Sequence, residues 1–283
     1  MLKAISQNYS GLRGFQQLLD VTAHNIANVN TVAFKEKQVS FFELTYRELA
    51  ERRLPHAGNP PMPPQSGRGT AVSSIVLSRE QGSLAYTGRN LDLAVVGEGF
   101  FRVVRPDGSY AYTRSGNFAL DADGNLTMPG GVLLDPPLYL REQEGRIDFG
   151  TLAITPAGIV QAAPLRTEAE DDFSPFPPGA EEETPAAIVE LGQLYLYQFI
   201  NPQSLSAVGD NLLLPSAASG PPLEGLPGEE GYGEIRHGYL ENANVDLARQ
   251  ITTLMRGQRA LQANSRAMSI ADELWALTLN LQS

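Results

Sequence analysis

Residue types that could carry chemistry are few and scattered along this chain. There are three histidines, His24, His56 and His237, and no cysteine. The missing thiols remove disulfide frameworks, thiolate metal sites and cysteine nucleophiles together, and histidines this far apart show no metal-ligand spacing. Gly97-Glu98-Gly99-Phe100-Phe101-Arg102 begins like a phosphate-cradling loop. Its third glycine position holds Arg102, and Phe100 to Val104 reads on as strand where a phosphate site needs a helix N-terminus. Gly97 and Gly99, and likewise Gly116, are therefore read as structural turn or bulge residues. Asp121-Ala122-Asp123-Gly124-Asn125 opens like a calcium loop, but the places for its Gly and Glu hold Leu126 and Val132. The nucleophile elbow, the His-Glu-x-x-His helix and the P-loop are absent. Acidic pairs such as Asp171-Asp172 stand among prolines, where no scaffold would hold catalytic geometry. These residues call for no catalysis, metal or cofactor.

One polar cluster stands out inside an otherwise apolar helix, Ala23-His24-Asn25-Ile26-Ala27-Asn28-Val29-Asn30-Thr31. Asn25 and Asn28, three apart, share a helix face. Such amides can bond a neighbouring helix or cap their own; capping accounts for Asn28 or Asn30 more readily than for Asn25.

The element that positions this cluster is an N-terminal helix. Positions 2, 5, 9, 12, 16, 19, 23 and 26 are Leu2, Ile5, Tyr9, Leu12, Gln16, Leu19, Ala23 and Ile26, seven of eight apolar at alternating steps of three and four. A second, shorter amphipathic piece follows from Phe34 to about Ala50. At the other end, Leu240, Leu247, Leu254, Leu261, Met268 and Trp275 repeat with a strict period of seven, the pattern of a coiled-coil seam. The companion row, Ala243, Gln250, Gly257, Asn264, Ala271 and Thr278, is small or polar, so a partner can approach closely and hydrogen-bond there. With Asn242 or Asn244 as cap, the helix would run for ~38 residues, or roughly 57 Å. Periodicity alone leaves two readings open: assembly with neighbouring subunits, or an internal helix pair or bundle.

Between these ends the pattern is β. Leu91–Val96, Phe100–Val104, Tyr110–Thr113, Asn117–Leu120 and Asn125–Met128 are short strand-like runs separated by Gly, Asp and Pro turn signals, and Leu152–Thr155, Gly158–Ala162 and Leu194–Ile200 follow. The expected class is α+β, with long N- and C-terminal helices pairing in coiled-coil fashion and a mainly antiparallel β domain between them. The expected boundaries are 1–45 with 240–283 for the helical assembly domain, 46–69 for a Pro-rich connector, and 70–239 for the β domain. Residues 55–64 carry five prolines, and residues 165–187 carry seven acids, one Arg and four prolines, a composition that cannot bury enough apolar surface to order itself.

Charge narrows the partners. The chain of 283 residues has 21 basic and 32 acidic residues, a net charge of −11. Residues 1–45 hold four bases and three acids, and 240–283 hold four of each, so the acidity belongs to the middle. An acidic chain is a poor partner for nucleic acid or an anionic membrane. No stretch reaches the ~18 apolar residues of a membrane span. The N-terminus has no apolar core of the kind that a cleaved secretory signal carries.

Three motifs stand in order from one end of the chain to near the other. The first runs from Asn25 through Asn28, Asn30, Thr31 and Phe34 to Lys35. The second runs from Thr87-Gly88 through Leu91-Asp92 and Gly97-Glu98-Gly99-Phe100-Phe101 to Tyr112-Thr113-Arg114-Ser115-Gly116-Asn117-Phe118. The third runs from Gly238-Tyr239-Leu240 through Asn244-Val245-Asp246-Leu247 and on to Gln258-Arg259-Ala260-Leu261-Gln262-Ala263-Asn264. Together they resemble the rod and hook family of bacterial flagellar axial proteins. Ala33 stands where the family often has Gly. Within the family, chain length and the approach Gln81-Gly82-Ser83-Leu84 are most similar to its distal-rod branch. The resemblance implies a helical homopolymer with the paired terminal helices inside and the β domain outside, transmitting torque in the basal body. It implies uncleaved export through the flagellar type III apparatus, and as partners other copies, other rod proteins, hook or hook-adaptor proteins and a surrounding ring. The implied assembly residues are Ile5, Leu12, Leu19, Asn25, Ile26, Asn28, Asn30, Leu240, Asn244, Leu247, Leu254, Leu261, Asn264, Met268 and Trp275. The competing readings are another axial type, then a surface adhesin, which would need an exposed aromatic cluster where Phe100, Phe101, Tyr110, Tyr112 and Phe118 instead look like core.

Overall fold

The computed structural model describes residues 2–44, 47–48, 65–66, 69–78, 80–122, 124–137, 151–163 and 189–280; the Pro-rich 55–64 and the acidic 165–187 lie outside the described residues. The chain is α+β and divides into two compact units. A helical unit comprises Met1–Val29, Lys35–Ser78 and Val245–Ser283, and a β unit comprises Asn30–Phe34 and Arg79–Asn244.

The helical unit holds α1, Leu2–Ala27, and α2, Leu247–Asn280. Asn28 closes α1: its backbone N–H and its Nδ2 both donate to the His24 carbonyl, at 3.2 and 2.8 Å, satisfying an acceptor that the helix end would leave open. The start of α2 differs from the expectation. Asp246, rather than Asn242 or Asn244, caps it, its Oδ1 accepting the N–H groups of Ala248 and Arg249 at 2.9 and 3.1 Å. The two asparagines are committed to the β unit: Asn242 N–H donates to the Ser83 carbonyl and Asn244 Nδ2 to the Glu80 carbonyl, at 2.9 and 2.8 Å. Leu240 is consequently not helical; it sits in the strand Tyr239–Glu241, opposite Ala85. The 34 residues of α2 rise about 51 Å.

Lys37–Glu43, within the second amphipathic piece, is a strand paired antiparallel with Thr70–Leu77 and interrupted by a bulge between Ser40 and Phe41. Lys37 and Val39 are half-buried while Gln38 and Ser40 are exposed, the two-residue alternation of a sheet with one covered face. Thr70–Leu77, expected with the β domain, thus belongs to the helical unit. Phe41 lies against Gly14 of α1, where an added Cβ would come within 3.0 Å of its ring.

The β unit is built on a seven-stranded antiparallel sheet in the order Ser206–Gly209, Leu212–Leu214, Tyr110–Thr113, Phe101–Val104, Val132–Asp135, Leu126–Met128, Ala119–Leu120. Residues at alternating positions of its strands, such as Phe101, Val103, Val132 and Leu134, form its core with Leu93, Val160 and Ile235 from beyond the sheet, and Phe101 and Phe118 meet edge to face at 5.7 Å. Tyr112, Tyr197, Phe199 and Leu205 form a second cluster. Phe100, expected in the core, is half-buried against this cluster, and Tyr110, also expected there, is 53 % exposed: its ring lies 4.9 Å from the Arg102 guanidinium, which also covers Tyr197 at 4.3 Å and pairs with Asp135. The Tyr197 hydroxyl donates to Glu224 at 2.7 Å. Burial, and then that carboxylate, push this phenol far above the usual tyrosine range, so it remains a donor. Among the described residues no helix is long and apolar enough to cross a membrane.

Candidate assembly interface

The pairing of α1 with α2 follows from where large side chains are missing. A Cβ built on Gly257 would lie 2.9 Å from Leu19 Cδ2, and one built on Gly11 would lie 3.0 Å from Asn264 Nδ2. At the other end of the same face, Asn25 Nδ2 donates to Gln250 Oε1 at 3.4 Å. Contacts descend α1 from Asn25 to Leu19 to Gly11 while they climb α2 from Gln250 to Gly257 to Asn264, so the helices run antiparallel with a step of seven on α2. The small and polar row of α2 receives α1. The larger residues Leu254, Leu261 and Met268 flank it, half-buried, and Leu247, Ile251 and Met255 stay exposed at 44, 44 and 47 %. On α1, Gly14, Thr22 and Asn25 are buried, while Leu12, Leu19 and Ile26 are half-buried and Tyr9, Gln16 and Ala23 are exposed.

Burying polar groups is costly unless they are bonded, and here they are. Asn25, 1 % exposed, reads the backbone of Lys37 twice: Nδ2 donates to its carbonyl at 2.9 Å, and Oδ1 accepts its N–H at 3.0 Å. Gln250, 4 % exposed, accepts from Asn25 and donates through Nε2 to Glu36 Oε1 at 2.8 Å. Thr22 returns its hydroxyl to the Leu18 carbonyl at 2.7 Å.

In the β unit a second polar centre gathers segments from all three sequence motifs. Glu241 is fully buried; its Oε1 accepts the Gly82 N–H at 2.9 Å, and its Oε2 lies 3.7 Å from Arg114 Nη1. Its backbone carbonyl accepts the Ala33 N–H at 2.7 Å. Arg114 also donates to the carbonyls of Gly97 and Gly99, at 2.6 and 3.1 Å. Burial lowers the Arg114 pKa from its ordinary value, Glu241 opposes that shift, and the guanidinium remains a cation at physiological pH. Gly97 and Gly99 take positive φ, 99° and 137°, as turn residues do. Gly116 is required for closeness instead: an added Cβ would stand 1.7 Å from the Leu93 carbonyl oxygen. Among the described residues, no group of three or more His, Cys, Asp or Glu could hold a metal ion.

Three family profiles match in chain order: flagella basal body rod protein over residues 9–35, flagellar hook protein FlgE/F/G D1 domain over 94–162, and flagellar basal body rod FlgEFG protein C-terminal over 236–281. Over 284 residues the chain is 34 % identical to the flagellar basal-body rod protein FlgG of Borreliella burgdorferi, covering 100 % of this chain and 99 % of that protein. It is likewise 34 % identical to that of Caulobacter vibrioides, covering all of both. This chain belongs to the FlgG-type flagellar basal-body rod proteins. The hook protein FlgE of Borreliella burgdorferi is also 34 % identical, but over only 51 % of this rod protein and 33 % of the hook protein. Full-length similarity therefore lies with the rod, and the chain is a structural subunit of the basal-body rod.

The structure distributes the expected assembly residues of this rod protein over several roles. Leu19 packs against Gly257 within the helix pair, and Leu12, Ile26, Leu254, Leu261 and Met268 are half-buried beside it; Leu247 and Trp275 are partly open, at 44 and 37 %. Ile5 lies in α1, its side chain outside the described set. Asn25 and Asn264 face the partner helix within the chain, Asn28 caps α1, and Asn30 is exposed. Leu240 and Asn244 are held in the β unit, Asn244 accepting no helical role and donating its N–H to the Phe34 carbonyl at 3.3 Å. Glu36, Gln250, Gly82, Arg114 and Glu241 were not singled out as site residues. Gln250 had a signal, its place in the small row; the others meet partners far away in sequence, which no periodicity records.

Proposed function

We propose that this chain is the distal rod subunit, polymerising with other copies of itself into a helical tube that carries torque toward the hook. The observation that carries the reading is the helical unit itself. Its two helices meet through small and polar residues and leave the larger apolar residues beside the contact half-open or exposed. A row such as Leu247, Ile251 and Met255 gains free energy only when a further surface covers it. A second copy offers the same surface in a heterologous contact, which builds open filaments when the rotation does not close. The helices pair in coiled-coil fashion in the polymer, with Leu12, Leu19, Leu254, Leu261, Met268 and Trp275 at its seams. Other rod proteins, hook or hook-adaptor proteins and a surrounding ring are the further partners, and the flagellar type III apparatus exports the chain uncleaved to a rod that spans the periplasm.

Ile251→Asp tests the reading. The substitution falls outside the row Gln250, Gly257 and Asn264 that receives α1 and places a carboxylate where the neighbour would bury apolar surface. Full covering of such a side chain contributes about 2 kcal/mol, of which roughly half is already realised in the monomer; burying the unpaired charge adds several more. Polymerisation followed by electron microscopy should fail at concentrations at which the parent forms rods, with the melt of the β unit unchanged. A variant that still forms normal rods would remove this row from the interface.

A further inference from the structure

The helix pair presents a problem of register. On α2 the row facing α1 repeats every seven residues as Gln250, Gly257, Asn264 and Ala271, all small or polar. Leu18 and Leu19 of α1 pack where Gly257 leaves room, an added Cβ there standing 2.9 Å from Leu19 Cδ2; one step along α2 the same leucines would meet the Asn264 side chain. Sliding α1 by seven residues would bring Gly11 to Ala271, Leu18 to Asn264 and Asn25 to Gly257. Gly257 therefore opposes this slip sterically, and the buried polar groups oppose it further.

The polar groups are not degenerate. In the observed alignment, the Asn25 amide is bonded to both backbone groups of Lys37 and to Gln250, and Gln250 is bonded to the Glu36 carboxylate. All three side chains are buried. In the shifted alignment Asn25 would face Gly257, which has no side chain to answer it, and Gln250 would lie beyond the end of α1, separated from Asn25. A buried amide and a buried carboxylate that lose their mutual bonds are heavily penalised, so the shifted state is disfavoured by what it strands.

We propose that Asn25, Gln250 and Glu36 form a register lock that selects one antiparallel alignment of α1 on α2. The lock joins both helices to the strand Lys37–Glu43 through Lys37, so all three elements are indexed at one point. Its role concerns pairing within one chain and stands apart from polymerisation. A single buried polar group specifying alignment, at some expense in stability, is the best-attested use of buried polarity in helix pairs.

The absence of cysteine makes the test direct, because every thiol is an introduced one. Gly11→Cys with Asn264→Cys reports the observed register, and Gly11→Cys with Ala271→Cys reports the shifted one. A thiol cross-linker reaching about 5 Å separates them, since seven helical residues rise ~10 Å. The parent full-length chain, treated as a dilute monomer, should give the 11–264 bridge alone. Gln250→Met together with Glu36→Met, which removes both polar groups with little change in volume, should lower the ratio of 11–264 to 11–271 bridging by about tenfold or more. Glu36→Gln, which still accepts from Gln250, should keep the parent pattern. A double variant that bridges only 11–264 would overturn the proposal. Loss of both bridges would also overturn it, because the network would then hold the pair together without choosing its alignment. A parent that fails to bridge 11–264 would refute the helix pairing itself.

Discussion

Replacing Glu241 with Gln tests whether the segments gathered at the polar centre of the β unit depend on one another. The carboxylate is fully buried, accepts the Gly82 N–H at 2.9 Å and lies 3.7 Å from the Arg114 guanidinium. At that separation and an effective dielectric of ~20, the ion-pair attraction is about 4.5 kcal/mol. Most of that offsets the desolvation of the two charges. Removing one partner of such a pair costs about 3–5 kcal/mol, because the other charge stays buried without it. Gln retains length and the acceptor for Gly82, so the lower end applies, about 3 kcal/mol. For a unit of this size that lowers the melting temperature by ~6–12 °C. Tyr112 and Tyr197, packed in the β unit, supply near-ultraviolet dichroism that reports its unfolding. Trp275, the only tryptophan, stands on α2 and reports the helical unit by fluorescence. The dichroism transition should move and the double-mutant cycle of Glu241→Gln with Arg114→Met should show a coupling of at least ~1 kcal/mol. A transition displaced by less than about 1 kcal/mol, or strictly additive effects, would refute the argument that this ion pair is coupled.

Two further outcomes follow from backbone geometry. Gly116→Ala places a methyl group 1.7 Å from the Leu93 carbonyl oxygen, and Leu93 N–H donates to the Gly116 carbonyl at 2.9 Å. The two chains must separate, at a cost of about 3 kcal/mol or more, and a thermal melt indistinguishable from the parent would contradict that contact. Ala33 is buried at φ 56°, a left-handed conformation that a β-branched side chain tolerates poorly. Ala33→Val should therefore destabilise the β unit by ~2 kcal/mol, and Ala33→Gly should stay within about 1 kcal/mol of the parent, both read from urea denaturation; equal stability of the Val and Gly variants would refute the strain.

Local signals were legible wherever an element and its boundaries depend on neighbours in sequence. The strands from Leu93 to Ala162 follow alternation and Gly-rich turns, so Phe101–Val104, Tyr110–Thr113, Leu126–Met128 and Ile159–Ala162 lie within a residue of the runs read from sequence. Lys37–Glu43 was ambiguous, because a short apolar run satisfies both periods until a partner strand such as Thr70–Leu77 pairs with it. Phe101, Tyr112 and Phe118 were legible as core, whereas Phe100 is half-buried and Tyr110 exposed, because exposure depends on the place of each strand among its neighbours.

The amino-acid sequence alone determined the α+β class, the two long helices, the β segment between them, and membership of the flagellar rod and hook family through three motifs in order. Each of these rests on periodicity or on residue identity at short spacing. Tertiary structure alone decided which face of each helix is covered. A period-seven stripe of Leu254, Leu261 and Met268 states that apolar surface must be buried, but not that Gln250, Gly257 and Asn264 would take α1 first. Close approach favours the row with the smallest side chains, since backbones meet there and buried amides find partners. The same holds for Glu241 with Gly82 and Asn25 with Gln250, pairs separated by 159 and 225 residues. A hydrogen bond across that distance leaves no local pattern, because only folding brings its donor and acceptor together.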